Sequence, residues 1–244
     1  MEEKVRDRID VLTEKLELLD ITVSQKQTEQ FLMFYEMMIN TNQVMNLTSI
    51  TEPVEVMDKH FVDSLAVKRI YDLNQKVSVI DVGTGAGFPG IPLKIVFPEI
   101  HIVLLDSLNK RVKFLKDVVE VLELQNVECI HGRSEDIGRT DEYREKFDLC
   151  VSRAVANLSV LSELCIPFVK IGGRFISYKA GKSAEEIEDA KTAVTKLGGK
   201  IRRVEEFSLP GTELERVFVE IEKIKETERK YPRKAGMPER MPLK

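Results

Sequence analysis

Four glycines fall within eight residues, at Gly83, Gly85, Gly87 and Gly90, with only Thr84, Ala86, Phe88 and Pro89 between them. Such density weakens a chain unless bare backbone is needed, so it reads as a turn against which a ligand lies. Gly85, Gly87 and Gly90 satisfy the dinucleotide spacing G-x-G-x-x-G, by itself a weak signal. Two features point away from a nicotinamide cofactor. Asp81, just before the first glycine, repels a pyrophosphate and welcomes an ammonium group. Phe88 and Pro89 stand where a helix would offer its amides to phosphate.

The elements around this turn can be read from periodicity. Residues 77–82 are apolar and β-branched enough for a strand buried on both faces, and residues 91–96 resume as a helix that tolerates Pro92 in its first turn. A second strand over 100–105 ends in Asp106, the place of an acid that binds ribose hydroxyls. Dinucleotides and adenosyl ligands both carry a ribose, so Asp106 supports a pocket without choosing between them. A third strand over 127–131 releases at Gly132 towards Ser134 and Glu135. Either residue can read an adenine amine, or Ser134 simply caps a helix. The fourth strand, 147–151, delivers Arg153, whose burial unpaired would be expensive. Arg153 either pairs with Asp148 or another acid, or meets a cofactor carboxylate or substrate phosphate; we favour the second. After Gly172-Gly173 a fifth strand over 174–178 brings Lys179 to the same crevice. Residues 201–209 and 215–222 alternate as a closing antiparallel hairpin. The fold class is α/β, a mostly parallel, seven-stranded, Rossmann-like sheet.

Residues 1–65 form a helical cap. The first helix places Val5, Ile9, Leu12, Leu16 and Leu19 on one face, and Ser24 caps a second carrying Phe31, Phe34, Tyr35, Met38 and Met45. A third, over 54–73, holds His60, Asp63 and Ser64, which either line the crevice or pack against the sheet. The core spans 66–222. The tail, 223–244, sets eight Lys and Arg against three Glu, so it is +5 within a chain of net charge −4. Pro232, Gly236, Pro238 and Pro242 oppose regular structure there. The plain expectation is a solvated tail, yet charge this segregated also suits a phosphate-contacting arm. Cys129, Cys150 and Cys165 lack metal or redox spacing, and no run suits a signal peptide or membrane span, so a reducing cytoplasm is expected.

Asp81-x-Gly83-x-Gly85-x-Gly87 resembles the first motif of Rossmann-like S-adenosylmethionine methyltransferases. The segments Asn46-Leu47-Thr48-Ser49-Ile50, 60–65, 81–90, 106–111, Arg153-Ala154-Val155-Ala156 and 231–238 extend the likeness nearly end to end. Together they resemble the glucose-inhibited division protein B family (RsmG), bacterial methyltransferases acting on 16S ribosomal RNA. The resemblance implies methylation at N7 of the 530-loop guanine near the decoding centre. It implies cofactor contacts at Gly83, Phe88, Ser134, Glu135 and Arg153, with Asp81, Gly85, Gly87, Asp106 and Ser107 completing the set. The family often has Ala where Ser134 stands, and a main-chain contact there would tolerate the change. Arg111, Lys179, Arg229, Lys230, Arg233 and Lys234 would hold phosphates of the small subunit RNA or its precursor.

That chemistry agrees with the residues. Guanine N7 has a free lone pair and no proton, so attack on a sulfonium methyl needs alignment rather than a general base. No Asn/Asp-Pro-Pro-aromatic motif follows the fourth strand, and Cys150 lies inside that strand instead of ending it as a nucleophile would. His60, Asp63, Ser64 and Arg153 are positioning candidates; no metal is expected, and the chain reads as a monomer. The alternatives are a small-molecule or protein methyltransferase, a nicotinamide oxidoreductase and a noncatalytic RNA-binding module.

Overall fold

The computed structural model describes residues 2–153, 156–181 and 183–244, with side chains from residue 10 onward. Val5 and Ile9, expected on the first helix's apolar face, and Ala154 and Val155 of the arginine segment lie outside those descriptions. One seven-stranded sheet has the order β3-β2-β1-β4-β5-β7-β6. β1 (Ser78–Val82), β2 (His101–Asp106), β3 (Val127–His131), β4 (Phe147–Ser152) and β5 (Val169–Ala180) pair in parallel. β6 (Gly199–Ser208) and β7 (Glu215–Lys223) form the antiparallel hairpin, with β7 against β5. The Gly172-Gly173 turn falls inside β5 instead of before it. Pairing jumps from Phe147–Val169 to Leu149–Arg174, which loops the glycines out as a bulge.

Alternation along β1 sends Val79 to one core and Ile80 and Val82 to the other. The first core is shared with the cap, α1 (Glu2–Glu17) and α2 (Gln25–Met45). Ser24 caps α2 through a reciprocal capping box with Gln27, as its residue type suggested. The expected single helix over 54–73 is broken: α3 (Pro53–Val56), a π turn (Met57–Val62), α4 (Asp63–Leu65) and a 3₁₀ turn (Ala66–Arg69) follow one another. The wide turn holds His60, at a kind of irregularity common in functional sites. Phe31 and Phe34 meet Phe61, and Phe34 and Phe61 meet Phe88 of the glycine turn, with centroids 5.0–6.1 Å apart. These contacts fix the cap on the turn.

α5 (Gly90–Val96) and α6 (Asn109–Val121) cover the cap-side face, and α7 (Ser134–Ile137) follows β3. α8 (Leu158–Cys165) and α9 (Ala184–Lys196) cover the opposite face. The tail is not a solvated arm. It folds back on α8 and ends in a short helix, α10 (Met237–Arg240). Buried Arg144 explains much of this, donating to the carbonyls of Tyr231 at 2.8 Å and Thr227 at 2.6 Å. No helix among the described residues is long and apolar enough to cross a membrane.

Gly87 has φ +101°, and a Cβ there would sit 2.6 Å from Ile91 Cγ1 and 3.0 Å from Leu115 Cδ2. Gly87→Ala is expected to lower the unfolding free energy by about 1–3 kcal/mol. Urea unfolding checks this, and a change below about 0.5 kcal/mol, the usual scale of a surface substitution, would contradict it.

Candidate functional site

The turn is held from beneath by a carboxylate. Asp81 is fully buried, and its Oδ2 accepts the Thr84 hydroxyl at 2.7 Å and the Gly90 amide at 2.8 Å. Burial pushes its pKa up to about 7 despite those bonds, and Oδ1 has no hydrogen-bond partner among the described residues. Asp81 thus does not reach the cavity above it, contrary to the expected direct contact. Gly87 is also absent from the cavity wall, because it faces Ile91 and Leu115.

The latch has a consequence for ligand choice. Gly90 gives its amide to Asp81, Ile91 gives its own to the Gly87 carbonyl at 2.7 Å, and Leu93 bonds Pro89 at 3.2 Å. Pro92 has no amide to give. Every amide of the first turn of α5 is therefore committed, and the usual pyrophosphate cradle is missing.

A cavity of about 560 Å³ lies beyond the carboxyl ends of β1, β2 and β4, within the range of a small-molecule site. Gly83, Gly85, Phe88, Asp106, Ser107, Arg111, Ser134, Glu135 and Arg153 all line it. Asp106 Oδ2 accepts the Gly85 amide at 2.9 Å and Oδ1 the Leu108 amide at 2.8 Å, with the Arg111 guanidinium 3.5 Å from Oδ2. Ser134 does not cap α7; its hydroxyl donates to the Leu164 carbonyl. Glu135 Oε1 accepts the Gly236 amide at 2.9 Å. Two carboxylates beside the apolar Val160, Leu161 and Leu164 suit hydroxyl and amine donors on a flat, partly apolar body. An adenosyl group with a short cationic chain has that character.

A second cavity, of about 710 Å³, shares His60, Arg153 and Ala156 with the first. Arg153 takes the structural alternative. It donates to Asp63 Oδ2 at 2.8 Å and the Lys59 carbonyl at 2.9 Å, and its guanidinium lies 5.1 Å from the Phe88 centroid. Asp148 instead accepts from Ser78 and pairs with Lys170. Asp63 also binds Arg216, at 2.7 Å, so one carboxylate holds two guanidiniums on this wall. Ser64 is wholly buried and bonds the His60 carbonyl, so it packs rather than lines. Lys179 is engaged by Glu186 and the Ala156 carbonyl, both at 2.6 Å, which withdraws it from phosphate binding.

His60 stacks on Phe88, with centroids 4.3 Å apart and planes 15° from parallel. Burial, with Arg153 adding to it, brings its pKa down to about 3. Arg153 donates to Nδ1 at 3.2 Å, so the proton sits on Nε2, 3.0 Å from Thr48 Oγ1. Cys150 is buried in β4 and its thiol is pushed well above the ordinary range by burial, so it offers no thiolate.

The tail cations divide. Arg229 with Asp141 and Lys230 with Glu228 are exposed pairs, and Lys234 is exposed. Arg233 is clamped on the wholly buried Glu163. Sequence reasoning missed Glu163, Arg216, Thr48 and the cavity contacts of Gly236, Pro238 and Glu239. A faint signal existed for Glu163, an acid inside the apolar run Leu158-Ser159-Val160-Leu161-Ser162-Glu163-Leu164-Cys165.

Residues 27–216 match the family model described as rRNA small subunit methyltransferase G. The chain is 50% identical over 228 residues to the ribosomal RNA small subunit methyltransferase G of Lachnoclostridium phytofermentans, covering 93% of this chain and 94% of that one. It is 48% identical to the protein of the same name from Staphylococcus carnosus, covering 96% and 98%. Among solved structures, M. jannaschii TYW2 in complex with AdoMet aligns with TM-score 0.51 at 22% identity, over 62% of this chain and 71% of that one. P. horikoshii TYW2 in complex with MeSAdo aligns with TM-score 0.54 at 12% identity, over 71% and 64%. At such identities these two likenesses speak to the fold.

The folded pKa of His60 lies below its ordinary value of 6.5, so its neutral form contributes stability above pH 6.5 that fades as pH falls towards 3. The stability advantage of the wild type over His60→Gln should shrink across that window. Ring NMR should show His60 still neutral at pH 5, and a ring titrating near pH 6.5 would contradict the assignment.

Proposed function

Because the chain belongs to the rRNA small subunit methyltransferase G family, it is a methyltransferase of ribosomal RNA, and we propose that it methylates N7 of a guanine, that of the 530 loop in 16S RNA. The cofactor is S-adenosylmethionine, which supplies an electrophilic methyl on a sulfonium. The observation that carries the proposal is the junction of the two cavities at His60 and Arg153, both of which lie against the Phe88 ring. The first cavity fits the adenosyl ligand, and the second opens from the same wall to a base.

The chain's residues divide the work. Asp106 accepts from the ribose hydroxyls, and Glu135, with one oxygen on Gly236, offers its other to the adenine amine. Gly83 and Gly85 bring bare backbone to the wall, and a Cβ at Gly85 would project into open space. His60 holds the Phe88 ring and has both its nitrogens engaged, so it takes no proton. Guanine N7 carries no proton to release: its lone pair would take the methyl of the bound donor, giving a cationic purine and a neutral thioether. Asp63 offsets part of the charge of Arg153 and Arg216, which would otherwise oppose that cation.

RNA phosphates fall to the cations whose partners hold them weakly. The exposed pairs of Arg229 and Lys230 are screened by salt and exchange readily, Lys234 is exposed, and Arg111 stands partly exposed at the first cavity. Lys179, held by Glu186 and the Ala156 carbonyl, and Arg233, clamped on buried Glu163, are left out of that set. The partner is the small ribosomal subunit or its precursor.

With tritiated S-adenosylmethionine and small-subunit RNA, label should appear at one guanine, and borohydride followed by aniline should cut the strand there. Label on an exocyclic amine, a pyrimidine or the protein would contradict the N7 assignment.

A further inference from the structure

The tail carries two kinds of basic residue, and the difference points inward. Glu163 on α8 has no exposed surface, and all its visible bonds go to one tail residue. Its Oε1 accepts the Arg233 amide and Nε, each at 2.8 Å, and its Oε2 accepts the guanidinium at 2.6 Å. A carboxylate enclosed this fully is tolerated only when its partner is in place. Arg139 adds a bond to the Pro232 carbonyl at 2.8 Å, and Arg144 one to that of Tyr231. Three charged residues of the core thus reach the backbone and one side chain of 231–233.

Just past this anchor the chain turns at Gly236, φ +79°, and gives its amide to Glu135. Gly236, Pro238 and Glu239 then line the 560 Å³ cavity, facing the residues assigned above to the adenine end.

We propose that residues 236–239 are a wall of the S-adenosylmethionine site, with Arg233 as its positioning residue rather than a contact reaching for RNA. The proposal rests on the reading of that cavity as the cofactor site. Arg233 acts through the path of the chain: clamped on Glu163, it sets where Gly236 meets Glu135 and so fixes the acceptor offered to the adenine amine. Segregated charge in this segment therefore has two destinations. Arg233 is turned inward to build the pocket, while Arg229, Lys230 and Lys234 remain on the outside.

The test measures S-adenosylhomocysteine binding by calorimetry, beside RNA affinity at several salt concentrations. Arg233→Met removes the anchor, and a chain ending at Lys234 keeps the anchor but lacks the wall, so it guards against a folding defect from unpaired Glu163. Both should bind the nucleoside about ten-fold or more weakly, with KM for S-adenosylmethionine raised. RNA affinity and its salt slope should stay as in the wild type, because no phosphate contact is lost. A shortened chain that melts normally and binds S-adenosylhomocysteine like the wild type would overturn the wall. So would unchanged nucleoside binding with a shallower salt slope in Arg233→Met. A wild-type chain that binds no S-adenosylhomocysteine would overturn the cavity reading itself.

Discussion

One buried carboxylate decides how the glycine turn is built. Asp81 joins the end of β1 to the first residue of α5, through Thr84 on the way, and Asp106 ties the outer limb of the same turn through the Gly85 amide. Between these two anchors Gly83, Gly85 and Gly87 all adopt positive φ, a path that residues with a Cβ rarely follow. Burying an ionised carboxylate is unfavourable, as its raised pKa records. The compensation is a rigid loop whose helix amides are already committed. A phosphate finds no free helix amide there, whereas the carboxylates of Asp106 and Glu135 stand in the same wall.

The two cavities share His60 and Arg153 and are each built from both cap and core. Leu47 and Thr48 of the cap, the carboxyl ends of the sheet and the tail enclose the first cavity, while His60 of the π turn and Asp63 of α4 face the second together with Lys179 and Arg216 of the core. Phe88 belongs to the turn yet stacks on His60 and meets Phe34 and Phe61 of the cap, so the two halves join around one ring. Ion pairs follow a division of their own. Arg153, Arg216, Lys179 and Arg233 hold acids in partly or fully buried places and serve geometry, while the exposed pairs of the tail leave their charges available to solvent and polyanions.

What was legible in the sequence is what local pattern controls. Strand runs, the glycine turn, the Ser24 cap, the closing hairpin and the acid ending β2 each depend on residues near one another in the chain. What escaped is long-range pairing. Arg153 was read as a ligand contact in preference to a partner for Asp148 or another acid; the acid it meets, Asp63, lies 90 positions earlier. Arg233 and Glu163 are 70 positions apart, and nothing in a proline-rich basic segment tells which cation turns inward. The broken helix over 54–73 escaped as well, since the helical period runs on through the π turn whose His60 and Phe61 meet Phe88. Asp81 was expected at the cofactor, whereas its carboxylate accepts from Thr84 and Gly90 of the turn itself.

The central claim is that an adenosyl sulfonium cofactor lies across the carboxyl ends of β1, β2 and β4, framed by Asp106, Glu135 and the tail. A crystal structure with S-adenosylhomocysteine bound tests it most directly. The account predicts ribose hydroxyls within hydrogen-bond distance of Asp106, the adenine between Glu135 and residues 236–239, and the sulfur directed towards His60, Phe88 and Arg153. Density for the ligand elsewhere, or an ordered crevice left empty at saturating ligand, would contradict it.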